Sequence, residues 1–175
     1  MATARRNAGD KPGDDLSSGE RKLARALRAR IAESVLPGEA APSEEQLDDA
    51  ATLLIEAARQ REGDKAALLV RSAGGNRRAT RIALVNRDKP FLVDSVAATV
   101  AAQGLDIAVL VHPIVAVRRD GKGRLAGFAE GGDADEGIAE SMIYLETARI
   151  DAKDRRRLEQ ELARTLSDVG FAVAD

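Results

Sequence analysis

The chain has 175 residues, 44% hydrophobic and 32% charged, the size of one ordinary domain rather than of a complete multidomain enzyme. Twenty-seven Lys and Arg against 29 Asp and Glu give a formal net charge of -2, and aromatics are only 2%, so neither a global field nor a stacking surface favours nucleic acid as a partner. The absence of Cys excludes disulfides and thiolate chemistry, and no run approaches the ~20 apolar residues that span a bilayer, so a cytoplasmic location without a membrane partner is expected.

Residues 1–16 are polar and rich in Gly and Asp, and read as a disordered leader. Ser17 and Glu20 then stand at capping-box spacing, and Leu23, Leu27 and Ile31 follow at four-residue intervals, which predicts a helix stopped by Leu36-Pro37-Gly38. Ser43 and Gln46 repeat the cap, and Leu47, Ala51, Leu54 and Ala58 line a second helix ending near Gly63. Residues 17–63 thus read as a helical hairpin, each helix apolar on one stripe only and expected to lie against something larger.

Residues 64–175 read as an α+β domain. Residues 66–70 and 79–85 have strand character around a turn at 73–76, the second strand alternating Ala79, Arg81, Ala83 and Val85 against Thr80, Ile82 and Leu84. A polar loop, 86–90, leads into a helix with Pro90 expected at its first position and Asp88 as its cap; Leu92, Val93, Val96, Ala97 and Val100 recur at helical period and Gly104 ends it. The β-branched stretch 107–117 contains Pro113, which predicts an edge strand or a bulge, and the turn 118–123 makes a hairpin with 124–128. The acidic segment 130–136 reads as a mobile loop, 141–146 as a strand, and Asp151 as the cap of a last helix with Leu158, Leu162, Leu166 and Val169 on its buried stripe and Gly170 at its end; the tail from Phe171 reads either as one more strand or as a cut-off helix. This order predicts a ferredoxin-like antiparallel sheet with helices on one face, preceded by the helical hairpin.

Candidate chemistry is sparse. His112 is the only histidine and no carboxylate lies at a useful spacing in its own strand, so it reads as structural, and neither a metal site nor a catalytic residue is predicted. The paired carboxylates occupy helix starts and loops, where solvation explains them. No G-x-G-x-x-G or G-x-x-x-x-G-K-[ST] occurs, so no cofactor-binding residue is predicted. Arg155-Arg156-Arg157 is flanked by Asp and Glu on the same helix and reads as a solvated face. The remaining candidate is the loop before the third helix, where Asn86, Asp88 and the N–H groups of Phe91 and Leu92 could hold a small amino acid.

Three blocks carry a resemblance: residues 82–96, which include Pro90-Phe91-Leu92-Val93-Asp94-Ser95-Val96; residues 104–120, with Val111-His112-Pro113; and Glu140-Ser141-Met142-Ile143-Tyr144-Leu145-Glu146. With the leading helices they make residues 20 to 170 resemble the N-terminal segment of the large NAD-specific glutamate dehydrogenases of bacteria. That resemblance implies an ACT-type βαββαβ module of a long chain that oxidatively deaminates L-glutamate to 2-oxoglutarate and ammonia with NAD, its catalytic domain lying far downstream. NAD is then a cofactor of the parent enzyme and not of this piece. The implied partners are other domains or subunits of that enzyme, with an amino-acid effector as the alternative. Amino-acid-binding ACT modules typically have Gly after the loop Pro; here Phe91 stands there, which shifts the expectation toward assembly.

Overall fold

The computed structural model describes residues 15–35, 37–38, 40–74, 76–129 and 137–174. The predicted leader up to residue 14 and the acidic segment 130–136 lie outside them. Both capping boxes form. Ser17 Oγ accepts from the Glu20 N–H at 3.1 Å while Glu20 accepts from the Ser17 N–H at 2.9 Å, opening α1 (Ser18–Ser34). Ser43 and Gln46 do the same for α2 (Glu44–Ala58), and each such cap is worth about 1 kcal/mol.

Among the described residues six strands make one antiparallel sheet: β1 (Ala67–Ser72), β2 (Ala79–Arg87), β3 (Val109–Val111), β4 (Ile114–Arg119), β5 (Leu125–Phe128) and β6 (Ile138–Ala148). Their order is β1-β2-β6-β4-β5, with β3 also pairing β6. Helix α3 (Leu92–Ala102) crosses from β2 to β3, and β6 inserts antiparallel between β2 and the β3–β4 segment, the split βαβ arrangement of a ferredoxin-like unit. Helix α4 (Ala152–Ala174) follows β6, with Asp151 accepting from the Asp154 N–H at 2.8 Å; it continues through Gly170 rather than ending there, so the tail from Phe171 is helix and not a strand. The place beside β2, where a βαββαβ unit receives its last strand, is occupied by β1. This accounts for the leading strand as the sheet's closing strand taken from the front of the chain.

The two faces of the sheet bury different sets. Ile82, Leu84, Ile143 and Leu145 pack with Leu92, Val96 and Val100 of α3 and with Leu158, Leu162 and Leu166 of α4. On the other face Ala83, Val85, Met142, Tyr144, Val115 and Val117 pack with Leu27 and Ile31 of α1 and with Leu47, Ala51, Leu54 and Ile55 of α2. The ferredoxin-like unit keeps its own helices on one face, and the leading hairpin covers the face they leave open. Each fully buried Leu or Ile there contributes roughly 1.5–3 kcal/mol, which is why neither weakly amphipathic helix needs to be stable alone.

Ion pairs fasten the hairpin to the sheet. Arg77 pairs with both Asp49 of α2 and Glu146 of β6, and the Tyr144 hydroxyl donates to Glu146 at 2.7 Å. Burial, together with that bond to a carboxylate, raises the Tyr144 pKa far above its ordinary value. At the other end of the sheet Arg61, just after α2, and Arg119 of β4 both bind Glu140 of β6. Arg61 donates at 3.0 and 2.6 Å and Arg119 at 2.9 and 2.8 Å, and the Glu140 side chain is 0% exposed. The backbone of residues 60–61 runs along the β4–β5 turn, with the Arg61 N–H donating to the Gly123 oxygen at 3.0 Å. Gly123 has φ +79°, and a Cβ there would collide with the Arg61 carbonyl, so this close approach requires glycine.

Candidate functional site

The β2–α3 loop carries the predicted residues at the exit of β2. Asn86 is buried at the end of β2, its Oδ1 accepting from the Arg87 N–H at 2.9 Å. The Asp88 N–H donates to the Ala139 oxygen at 3.0 Å, extending the β2–β6 ladder, and its carboxylate accepts from the Ser141 hydroxyl at 2.8 Å. Asp88 therefore does not cap α3. That helix starts at Leu92, with Phe91 as its N-cap at φ 65° and ψ 5° and no side-chain cap bond, rather than with Pro90 as its first residue. The left-handed Phe91 turns the chain after Pro90, and the Ser95 N–H donating to the Phe91 oxygen at 3.0 Å opens the helix. Leu92 is buried in the α3–α4 core, whereas Phe91 is 75% exposed. The structure thus brings Asn86 and Asp88 to one end of β2 and turns Leu92 into the core.

His112 joins this group, which its own strand gave no reason to expect. Pro113 interrupts the 107–117 stretch and divides it into β3 and β4, and its carbonyl still accepts from the Met142 N–H at 2.9 Å. At the break His112 Nε2 lies 3.3 Å from Ser141 Oγ. Ser141 has one hydroxyl proton and Asp88 takes it, so His112 meets the serine oxygen as a donor through Nε2–H. The chain runs His112 to Ser141 to Asp88, with the serine proton directed away from the imidazole. It holds Ser141 in place and does not activate it as a nucleophile. Burial pushes the His112 pKa below its ordinary value, partly countered by the Asp88 carboxylate. Leu110 and Ile114, which alternate with His112 on the α3–α4 side of the sheet, are 45% and 54% exposed.

Among the described residues no group of three or more His, Asp or Glu could hold a metal ion, and no helix is long and apolar enough to cross a membrane. A dinucleotide needs a glycine-rich strand-to-helix turn that lets its pyrophosphate reach the helix N-terminus. The turn before α3 is Asp88-Lys89-Pro90-Phe91, without a glycine, so these residues do not fit NAD.

A family model described as "Glutamate dehydrogenase, ACT1 domain" matches residues 30–162. The NAD-specific glutamate dehydrogenase of Pseudomonas aeruginosa is 35% identical over 98 residues, and that of Halomonas elongata 34% over 98 residues. In both cases the match covers 55% of this chain and only 6% of the relative, so the chain spans a small part of the length of these curated proteins. No solved structure matches. The matched span runs from the end of α1 to the middle of α4 and takes in the whole sheet and both ion-pair clusters, and the chain belongs to the glutamate dehydrogenase ACT1 domain family.

Proposed function

We propose that the chain is a non-catalytic, N-terminal regulatory and assembly module of an NAD-dependent glutamate dehydrogenase, which oxidatively deaminates L-glutamate to 2-oxoglutarate and ammonia. Its partners are then other domains or subunits of that enzyme, and the NAD is bound elsewhere in the parent. One observation carries the assembly role: Phe91 has a positive φ and a 75% exposed ring. A left-handed conformation costs a non-glycine residue roughly 1–2 kcal/mol, and an exposed ring returns almost nothing within the chain. A residue that violates both local rules at once fits one that is used by a partner. The exposed Leu110 and Ile114 offer further apolar surface on the sheet.

Phe91→Gly tests this directly. Glycine relieves the positive φ, so the variant is expected to unfold at higher urea, by about 1 kcal/mol, yet to associate less than the wild type in sedimentation velocity across a dilution series. A variant that associates as well as the wild type would defeat the assembly role, and NAD reduction by the 175-residue chain with glutamate would defeat the non-catalytic one. The alternative is an amino-acid sensor using Asn86, Asp88, Phe91 and Leu92, and what favours it is the lack of a side-chain cap on α3. Calorimetric titration with the twenty amino acids discriminates: saturable heat from one of them, lost in Asp88→Ala, supports sensing.

A further inference from the structure

Away from the β2–α3 loop, a groove of about 850 Å3 opens where residues 60–63 meet the β4–β5 turn. Five cations line it: Arg61, Arg87, Arg119, Lys122 and Arg124. Among the described residues of the lining, two are acidic, Glu62 and Asp120. Asp120 is already engaged, its Oδ1 accepting from the Lys122 and Arg124 N–H groups at 2.8 and 3.0 Å. Two further carboxylates pair with the lining from outside it, Glu140 with Arg61 and Arg119, and Asp64 with Arg87. Among the described residues, five cations less these four carboxylates leave +1, and less the two that line the groove leave +3, on a chain whose formal net charge is -2.

The excess lies where it acts most strongly. Arg61 and Arg119 have side chains only 2% and 5% exposed, and they share the single carboxylate of Glu140, so this buried triad keeps one unit of positive charge beside the groove. A buried charge is poorly screened, and a concave wall focuses its field into the opening. Arg87 lies 3.5 Å from an Asp64 that is itself mostly exposed, a contact that competes weakly with an incoming anion. Guanidinium forks match the paired oxygens of phosphate and carboxylate groups, and Lys122 adds a mobile point charge.

We propose that this groove binds a small polyanion carrying two or more phosphate or carboxylate groups. It is independent of the assembly reading, since neither Phe91 nor the His112–Ser141–Asp88 chain contributes to it. Isothermal titration of the 175-residue chain with inorganic pyrophosphate, and separately with citrate, tests the proposal and distinguishes the two sources of anionic oxygen. Saturable one-to-one binding is expected with at least one of them, weakening as salt is raised. The triple variant Arg87→Ala/Lys122→Ala/Arg124→Ala, which leaves the buried triad and the turn backbone in place, should weaken it at least about tenfold. The control Arg156→Ala/Arg157→Ala, which removes two exposed cations from α4, should leave it within about twofold. Circular dichroism and urea midpoints establish that both variants are folded. No saturable heat from either anion up to about 10 mM, or an equal loss in the control, would overturn the proposal.

Discussion

Replacing Glu140 by Gln keeps the volume of the side chain and removes its charge, leaving Arg61 and Arg119 facing each other inside the protein. In the wild type the carboxylate accepts four hydrogen bonds of 2.6 to 3.0 Å from the two guanidinium groups, and all three side chains are at most 5% exposed. Breaking a buried ion pair by removing one partner costs about 3–5 kcal/mol, because the remaining charge keeps its desolvation penalty. A glutamine oxygen can take part of the bonding, but its amide donors meet further donors. The expected loss is therefore about 3–5 kcal/mol at pH 7, read as a lower urea midpoint at unchanged slope, and close to 10 °C in melting temperature for a domain of this size.

The same carboxylate sets a pH dependence. Burial works to raise the Glu140 pKa, but the bonds and charges of Arg119 and Arg61 outweigh it and hold the group below the ordinary 4.5. Its contribution is then fully present above 4.5 and is lost as pH falls through the lower, folded value. Asp49 opposes it, since burial raises its pKa above 3.8 and its ionisation costs stability as pH rises past that value. Asp49 is common to wild type and variant and cancels in their difference. The stability gap between the two should thus be constant near neutrality and close in acid. A gap under about 1 kcal/mol at pH 7, or one that persists unchanged at the acid end, would refute the reasoning.

Arg77→Ala removes the cation shared by Asp49 and Glu146, two nearly buried carboxylates, leaving Asp49 with Arg81 at 4.0 Å and Glu146 with the Tyr144 hydroxyl, and should cost about 3 kcal/mol in chemical denaturation; a loss within about 0.5 kcal/mol would mean that the bridge between α2 and β6 is not formed in solution. Gly123→Ala adds a Cβ that meets the Arg61 carbonyl at a positive φ, and about 2–3 kcal/mol of destabilisation is expected, with faster amide exchange at Arg61; unchanged exchange would place the close approach elsewhere. His112 has a pKa lowered by burial, so protonating it opposes folding, and stability should fall as pH drops below about 6.5. His112→Gln should flatten that slope in urea titrations between pH 7 and 5.5, and a slope equal to that of the wild type would assign it to another group.

The local signals were legible in the sequence. The Ser17–Glu20 and Ser43–Gln46 boxes form as spaced, and Leu27, Ile31, Leu54, Leu158 and Leu162 are buried on the stripes their period predicts. The alternation in 79–85 sorts correctly, Ala83 and Val85 facing the hairpin and Ile82 and Leu84 facing α3 and α4. Partners distant in sequence were not legible. Arg61 and Glu140 are 79 residues apart, Arg77 and Glu146 are 69 apart, and nothing in either neighbourhood marks these charges as buried rather than solvated. The spacing around His112 carries no sign of Asp88, because their link runs through Ser141 on β6. Phe91 stands out in the sequence as a bulky residue at the loop, yet its left-handed backbone, set directly before the buried Leu92, is a turn that no periodicity encodes.

The strand that closes the sheet beside β2 comes from immediately upstream, and this bears on the speed of assembly. Only six residues separate Ser72 from Ala79, whereas a strand drawn from beyond α4 would have to return across the whole unit to reach the same slot. With about ninety intervening residues, that return would add about 2 kcal/mol of loop-closure entropy. As built, the slot is filled by a neighbour that can zip onto β2 early, so the slow, long-range step in folding is the insertion of β6 between β2 and β4, not the sealing of the sheet's margin.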